Sequence, residues 1–218
     1  MTAMILAAGL GTRMRPLTNH TPKPLLEVGG KPLIVWHIER LTAAGFHDIV
    51  INVAHLGQQI IDYLGDGSRY GVRITFSDEQ HEGALETAGG VVKALPHLSD
   101  TFLVVNGDVW TDYPFEQSFD LQEGCDAHVV LIDNPPHNPK GDFALQGSDA
   151  KYTFSGIGYY RKSMFAHLPY GKRPLAPLLF EAIEAQRLSS EHYGGEWHDI
   201  GTPERLERLD RQLRTLHV

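Results

Sequence analysis

Cysteine is nearly missing from these 218 residues: Cys125 stands alone. A single thiol excludes an intrachain disulfide framework and agrees with a reducing compartment. It leaves a nucleophilic cysteine as an alternative to a small buried side chain. Long hydrophobic runs are missing as well. No stretch approaches the ~20 apolar residues of a membrane-spanning helix. Met1–Ala8 has no basic flank and gives way to glycine at Gly9, so no secretory leader and no membrane partner are expected, and the expected location is the cytoplasm. Positive charge is scarce, with 19 Lys and Arg against 27 Asp and Glu. The resulting net charge of −8 argues against nucleic acid as a partner, because phosphate backbones call for basic patches. Internal repeats and low-complexity tracts are absent too. What remains, 42% hydrophobic and 21% charged, is the composition of one globular domain with a substantial core.

Strand-like and helix-like stretches alternate along that chain. Met4–Ala8, Asp48–Val53, Val72–Phe76, Thr101–Asn106 and Ala127–Ile132 read as strands. Pro32–Ala44 spaces its apolar residues for a helix and stops at Gly45; Leu56–Leu64 and Thr87–Leu95 also read as helical. This βαβα order predicts an α/β fold, a single three-layer domain around a mostly parallel mixed sheet. Residues 1–133 read as its core. Residues 134–193, where Pro135, Pro136 and Pro139 interrupt the pattern, read as an elaboration containing a strand at Lys151–Tyr160 and a helix at Pro174–Gln186. Residues 194–218 end in a helix over Pro203–Leu216, with Thr202 as its N-cap and Pro203 at its first position. Ligands of such sheets sit at the carboxyl ends of the strands. Two polar segments fall there: the loop after Ala8 and Asn106-Gly107-Asp108.

The loop, LAAGLGTRMRPLTNHTPKPLLEVGGKPL over Leu6–Leu33, is not one of the common phosphate cradles. A dinucleotide fingerprint needs glycine at position 14, which is Met14. A P-loop needs Gly-Lys followed by Ser or Thr, whereas Gly30-Lys31 precedes Pro32 and Gly171-Lys172 precedes Arg173. Gly9 and Gly11 let backbone N–H groups approach an anion. Thr12, Arg13 and Arg15 stand beside them, and Lys23 follows. Forked guanidinium donors suit phosphate oxygens, and the whole set suits a triphosphate.

These residues resemble the signature of the sugar-1-phosphate nucleotidyltransferases, L-A-x-G-x-G-T-R-[LM]-x-P-L-T, then P-K-P-L, then G-x-P. Asn106-Gly107-Asp108 is similar to that family's metal-binding segment, and Trp197–Glu204 (WHDIGTPE) to its closing motif. The resemblance implies a Rossmann-like fold of the nucleotide-diphospho-sugar transferase type. It also implies a nucleoside triphosphate over the first loop, a sugar 1-phosphate deeper in the cleft, and release of pyrophosphate. By the same resemblance Arg13 grips the triphosphate and the transition state, Lys23 holds the α-phosphate and the sugar phosphate, and Asp108 and Asp199 hold Mg²⁺. The backbone of Ala7, Ala8 and Gly9, with Gly11 and Thr12, would hold the nucleotide, helped by residues between Glu79 and Thr87. Asn106, Gly141, Ser155 and Gly156 are candidates for the sugar. The chain departs from the pattern twice. Many relatives read Gly-Thr-Ala-Gly where this chain reads Glu86-Thr87-Ala88-Gly89, and the Glu-Lys-Pro that commonly supplies a second phosphate-binding lysine is missing.

The implied chemistry accounts for what the sequence does without. A sugar phosphate has its second pKa near ~6, so at neutral pH the nucleophile is already mostly a dianion and needs no general base. Twelve histidines accordingly show no catalytic pairing and no zinc spacing. The difficulty is charge, which fixed cations and a metal relieve. Within the family, LETAGG, VNGDVW, KGDF and FSGIG resemble the short members that join UTP to N-acetylmuramate α-1-phosphate in cell-wall recycling. That sugar carries a lactyl carboxylate. Pro136–Pro174 holds Lys140, Lys151, Arg161, Lys162, Lys172 and Arg173 against Asp142 and Asp149, and Lys140, preceding Gly141-Asp142-Phe143, or a neighbouring cation is the expected contact. Guanylyl transfer to mannose 1-phosphate, or thymidylyl or uridylyl transfer to glucose 1-phosphate, is the alternative within the class. A catalytically silent nucleotide-sugar sensor and a kinase are the alternatives outside it. The expected partners are small molecules, and the expected assembly is a monomer or weak homo-oligomer.

Overall fold

The structure, a computed structural model, describes residues 1–145 and 148–216. Its centre is an eight-stranded mixed sheet. The strands are β1 (Thr2–Leu6), β4 (Asp48–Val53), β5 (Arg73–Asp78), β6 (Thr101–Asn106), β8 (Ala127–Ile132), β10 (Lys151–Arg161) and β11 (Leu188–His192), in the order β11-β8-β10-β6-β1-β4-β5, with the short β9 (Phe143–Ala144) beside β10. Short ribbons β2 (Glu27–Val28) with β3 (Lys31–Pro32), and β7 (Val109–Thr111) with β12 (Trp197–Asp199), lie off it. The pairs β5-β4, β4-β1, β1-β6 and β8-β11 are parallel, while β10 runs antiparallel to both β6 and β8. The segment read as an elaboration therefore supplies a strand in the middle of the sheet.

Continuous apolar runs such as TAMIL and AHVVLI suit strands covered on both faces. Successive residues of β1 divide between two cores, as a period of two requires: Ala3 and Ile5 enter one, Met4 the other. The first core receives Ile34, Ile38 and Leu41 of α1 (Leu33–Ala43) and Ile60 and Leu64 of α2 (Gly57–Leu64). The second receives Val91 of α3 (Glu86–Ala94), Phe165 of α4 (Ser163–Ala166) and Leu178 and Leu179 of α5 (Ala176–Glu184). A third cluster ties the last helix to the first loop. In α6 (Pro203–Leu216), Leu206, Leu209 and Leu213 line one face and pack with Trp110, Ile200 and Met14. Met14, standing where a dinucleotide loop would have glycine, is fully buried and anchors the loop. The expected cap forms, with Arg205 N–H donating to Thr202 Oγ1 at 3.4 Å. Among the described residues no helix is long and apolar enough to cross a membrane.

Candidate active site

A cleft of about 410 Å³ opens at the carboxyl ends of β1, β4 and β6, lined by the loop from Ala7 to Met14 together with Lys23, Asn52, Thr87, Asn106, Asp108 and Gly201. Two glycines shape it. Gly11 has φ +61°, and its carbonyl accepts the N–H of Met14 and the hydroxyl of Thr18, which closes the turn. Gly107 donates to Leu6 O at 2.9 Å, and a Cβ there would come within 2.5 Å of that oxygen. Only glycine lets the ends of β1 and β6 converge so closely. The N–H groups of Ala8, Gly9, Leu10 and Gly11 meet no protein acceptor among the described residues, and all four residues line the cleft. Ala7 differs: its N–H donates to Asn52 Oδ1 at 2.8 Å. Thr12 and Arg13 are exposed on the rim, and Arg13 has no hydrogen-bond or ion-pair partner among the described residues. Arg15 is exposed outside the lining.

Across the cleft, Lys23 Nζ lies 2.9 Å from Asp108 Oδ2. The lysine side chain is buried and the aspartate half-exposed. The ribbon β7-β12 brings Asp199 alongside: Asp199 pairs with Val109, and Ile200 N–H donates to Asp108 O at 2.8 Å. Asp199 borders a neighbouring cavity of about 560 Å³; its Oδ2 accepts from Arg205 Nη1 at 2.6 Å, and His137 Nε2 stands 3.3 Å from its Oδ1. Gly201 lines the first cleft close to Asp199: a Cβ on it would lie 2.7 Å from Arg205 Nη1, 2.9 Å from Asp199 Oδ2 and 3.6 Å from the Arg13 guanidinium.

Beneath β7 the buried His37 bonds through Nε2 to Val109 O at 2.7 Å, which fixes the strand behind Asp108. Burial pulls its pKa down to about 4, so the ring is neutral at pH 7, with Nε2 carrying the proton and Nδ1 unpartnered. The folded value lies below the unfolded one. The stability His37 contributes is therefore complete above about pH 6.5 and is lost as pH falls towards 4, to a limit of about 3 kcal/mol. Urea unfolding of His37→Gln should show a shallower decline than the parent across that window. Equal slopes would mean that His37 does not set the acid limb.

A further cavity of about 680 Å³ adjoins the first and shares Glu86, Thr87 and Asn106 with it. Gly141, Phe143, Phe154, Gly156, Tyr160, Leu179 and Phe180 complete most of its wall. Gly156, at φ +81°, leaves room for Asn106, whose Nδ2 a Cβ would meet at 2.5 Å. The buried Tyr160 hydroxyl has no partner among the described residues.

Several expected residues stand elsewhere. Glu79 is fully buried and does not line the cleft. Its Oε1 accepts from Asn52 Nδ2 at 2.9 Å and its Oε2 from Leu85 N–H at 2.8 Å, while burial pushes its carboxyl above the usual range. It acts through Asn52, which in turn holds Ala7. Ser155 is also buried, with its hydroxyl donating to Val130 O at 2.7 Å, and Lys140 is exposed outside every cavity described above. Cys125 is buried away from the clefts. Sequence reasoning missed Asn52, His137 and Arg205. The first left a signal: a lone carboxamide near the end of the apolar run DIVINV.

The nucleotidyl transferase family pattern matches residues 2–151. The chain is 52% identical to the N-acetylmuramate alpha-1-phosphate uridylyltransferase of Neisseria meningitidis serogroup B, over 95% of this chain and 96% of that protein. It is 43% identical to a UTP–glucose-1-phosphate uridylyltransferase of Synechocystis, over 61% of this chain and 37% of that protein. A mannose-1-phosphate guanyltransferase of Schizosaccharomyces pombe is 32% identical over 93% and 61% of the two chains. Among solved structures, a Bacillus anthracis protein assigned as a glucose-1-phosphate thymidylyltransferase superposes with a TM-score of 0.85 at 22% identity, over 98% of this chain and 96% of that one. At that identity the likeness concerns the fold alone.

Proposed function

The chain belongs to the nucleotidyl transferase family, and we propose that it joins UTP to N-acetylmuramate α-1-phosphate, giving UDP-N-acetylmuramate and pyrophosphate in cell-wall recycling. One observation carries the reading: two cavities share the wall Glu86-Thr87-Asn106, with the Lys23–Asp108 pair at the side of the first. The likeness to the Neisseria enzyme over nearly the whole of both chains supports the choice of substrates.

The triphosphate lies over the loop, where N–H groups from Ala8 to Gly11 meet phosphate oxygens. Arg13 closes on the same phosphates from the rim with donors no protein group occupies. The sugar 1-phosphate enters from the second cavity, its ring against Asn106, Gly141 and Gly156. Its phosphate dianion attacks the α-phosphorus in line. The new P–O bond forms as the bond to pyrophosphate breaks, and no proton moves at the reacting oxygen. Lys23, held by Asp108, offsets the charge of two approaching phosphates.

Asp108 and Asp199 fit magnesium. Both offer hard oxygens from hydrogen-bonded neighbouring segments, and Asp108 Oδ1 has no hydrogen-bond or ion-pair partner among the described residues. No group of three or more His, Cys, Asp or Glu gathers there among the described residues. That suits an ion which takes one or two carboxylates and completes its shell with water and phosphate oxygens. When bound, it would neutralise charge on the phosphates and on the departing pyrophosphate.

A matrix of UTP, dTTP, GTP and ATP against the 1-phosphates of N-acetylmuramate, N-acetylglucosamine, mannose and glucose, read by pyrophosphate release, tests the reading. UTP with N-acetylmuramate 1-phosphate should be the best pair. A better pair with another base or sugar would move the assignment within the family, and pyrophosphate from none would end it.

A further inference from the structure

The second cavity has a charge problem if it receives an acidic sugar. Its lining holds two carboxylates, Glu86 and Asp142, and no lysine, arginine or histidine. Asp142 is compensated, accepting from Asn138 Nδ2 at 3.1 Å and from Phe154 N–H at 2.9 Å. Glu86 is not held in this way by the wall. It stands at φ +61°, a left-handed position that disfavours any side chain with a Cβ. It nevertheless projects a carboxylate where the two cavities meet.

Among the described residues its one charged partner is Lys172, with Nζ 3.5 Å from Glu86 Oε1. The loop carrying Lys172 is docked on the first turn of α3. Arg173 N–H donates to Leu85 O at 2.9 Å and Gly89 N–H to Arg173 O at 3.1 Å, while a Cβ at Gly89 would come within 2.4 Å of Gly171 O. Pro174 and Leu175, which follow, line the second cavity itself. The docked loop thus sets the ammonium beside Glu86, just outside the lining of an acidic and apolar pocket. The pair is largely solvated, with side chains 68% and 41% exposed, and such pairs are held weakly enough to exchange or share a partner. An ammonium has three donors and can bridge two carboxylates.

We propose that Lys172 is a specificity-determining cation that receives the carboxylate of an acidic sugar 1-phosphate bound in the second cavity, with Glu86 holding it over the pocket beforehand. The inference rests on the sugar 1-phosphate reading above and replaces Lys140 with Lys172 as the lactyl contact. Glu86 then has a second consequence. Without Lys172 it faces the substrate's carboxylate uncompensated and repels it.

Steady-state kinetics with UTP and either N-acetylmuramate 1-phosphate or N-acetylglucosamine 1-phosphate test this. Lys172→Ala should lower kcat/KM for the acidic sugar about five- to tenfold, mainly through KM, with a smaller loss on the neutral one. Adding Glu86→Gly, which removes the repelling carboxylate at a glycine-compatible position, should recover most of the acidic-sugar loss. Lys140→Ala should shift the preference less than Lys172→Ala does. Equal losses on both sugars in Lys172→Ala, no recovery in the double variant, or a larger selective loss in Lys140→Ala would overturn the proposal. Equal use of both sugars by the unmodified enzyme would overturn it while leaving nucleotidyl transfer standing. Pyrophosphate from neither sugar would remove the functional reading and this inference together.

Discussion

Asp108→Asn should lower turnover by a factor of about 10²–10³ in a chain that still folds. The substitution keeps the shape and an oxygen able to accept from Lys23 Nζ, now 2.9 Å from Oδ2, but removes the negative charge that would bind magnesium. The aspartate is half-exposed, so water compensates much of the change around Lys23 and the loss of stability stays small. The defect should deepen as magnesium is lowered, because the missing ligand weakens the ion's hold. Asp199→Asn should lose comparable activity and more stability, since Asp199 also pairs with Arg205 at 2.6 Å. Pyrophosphate release across a magnesium titration, beside thermal unfolding of each variant, separates the two effects. Parent-like turnover at limiting magnesium in either variant would remove that aspartate from the metal site.

Arg13→Lys should also cost about 10²–10³ in turnover, with a much smaller change in the Michaelis constant for UTP. Charge is conserved, but the planar fork of donors is lost, and a fork matches phosphate oxygens as their charge shifts towards the leaving group. Arg13 is suited to that role because it sits at the rim with no protein partner among the described residues and borders Gly201 beside Asp199. If the variant raises the Michaelis constant and leaves kcat alone, Arg13 serves binding and the transition state is stabilised elsewhere.

The sequence by itself determined the elements and one face of the site. Asp48–Val53, Thr101–Asn106 and Ala127–Ile132 are strands with the bounds their apolar runs indicate, and Pro203–Leu216 is the helix its cap announces. These are local properties, set by periodicity, capping and turn chemistry within a few residues. The loop from Ala7 to Arg13 was legible for the same reason, since its glycines and donors are contiguous.

The tertiary structure decided what depends on distant segments meeting. The strand Lys151–Arg161 lies at the middle of the sheet because β6 and β8 pair on its two sides, which nothing in its own residues specifies. The ribbon joining Val109–Thr111 to Trp197–Asp199 is three residues a side, too short for a period to show, yet it brings Asp199 beside Asp108. Glu79 and Ser155 have the composition of site residues and spend their polar atoms on Asn52, Leu85 and Val130 instead, because buried polar groups must be satisfied wherever the fold puts them. Lys140 and Lys172 both belong to a basic stretch. Only the docking of Gly171–Arg173 onto α3 sets Lys172 against Glu86 at the mouth of the second cavity, because a side chain's electrostatic partner is fixed by distance through space.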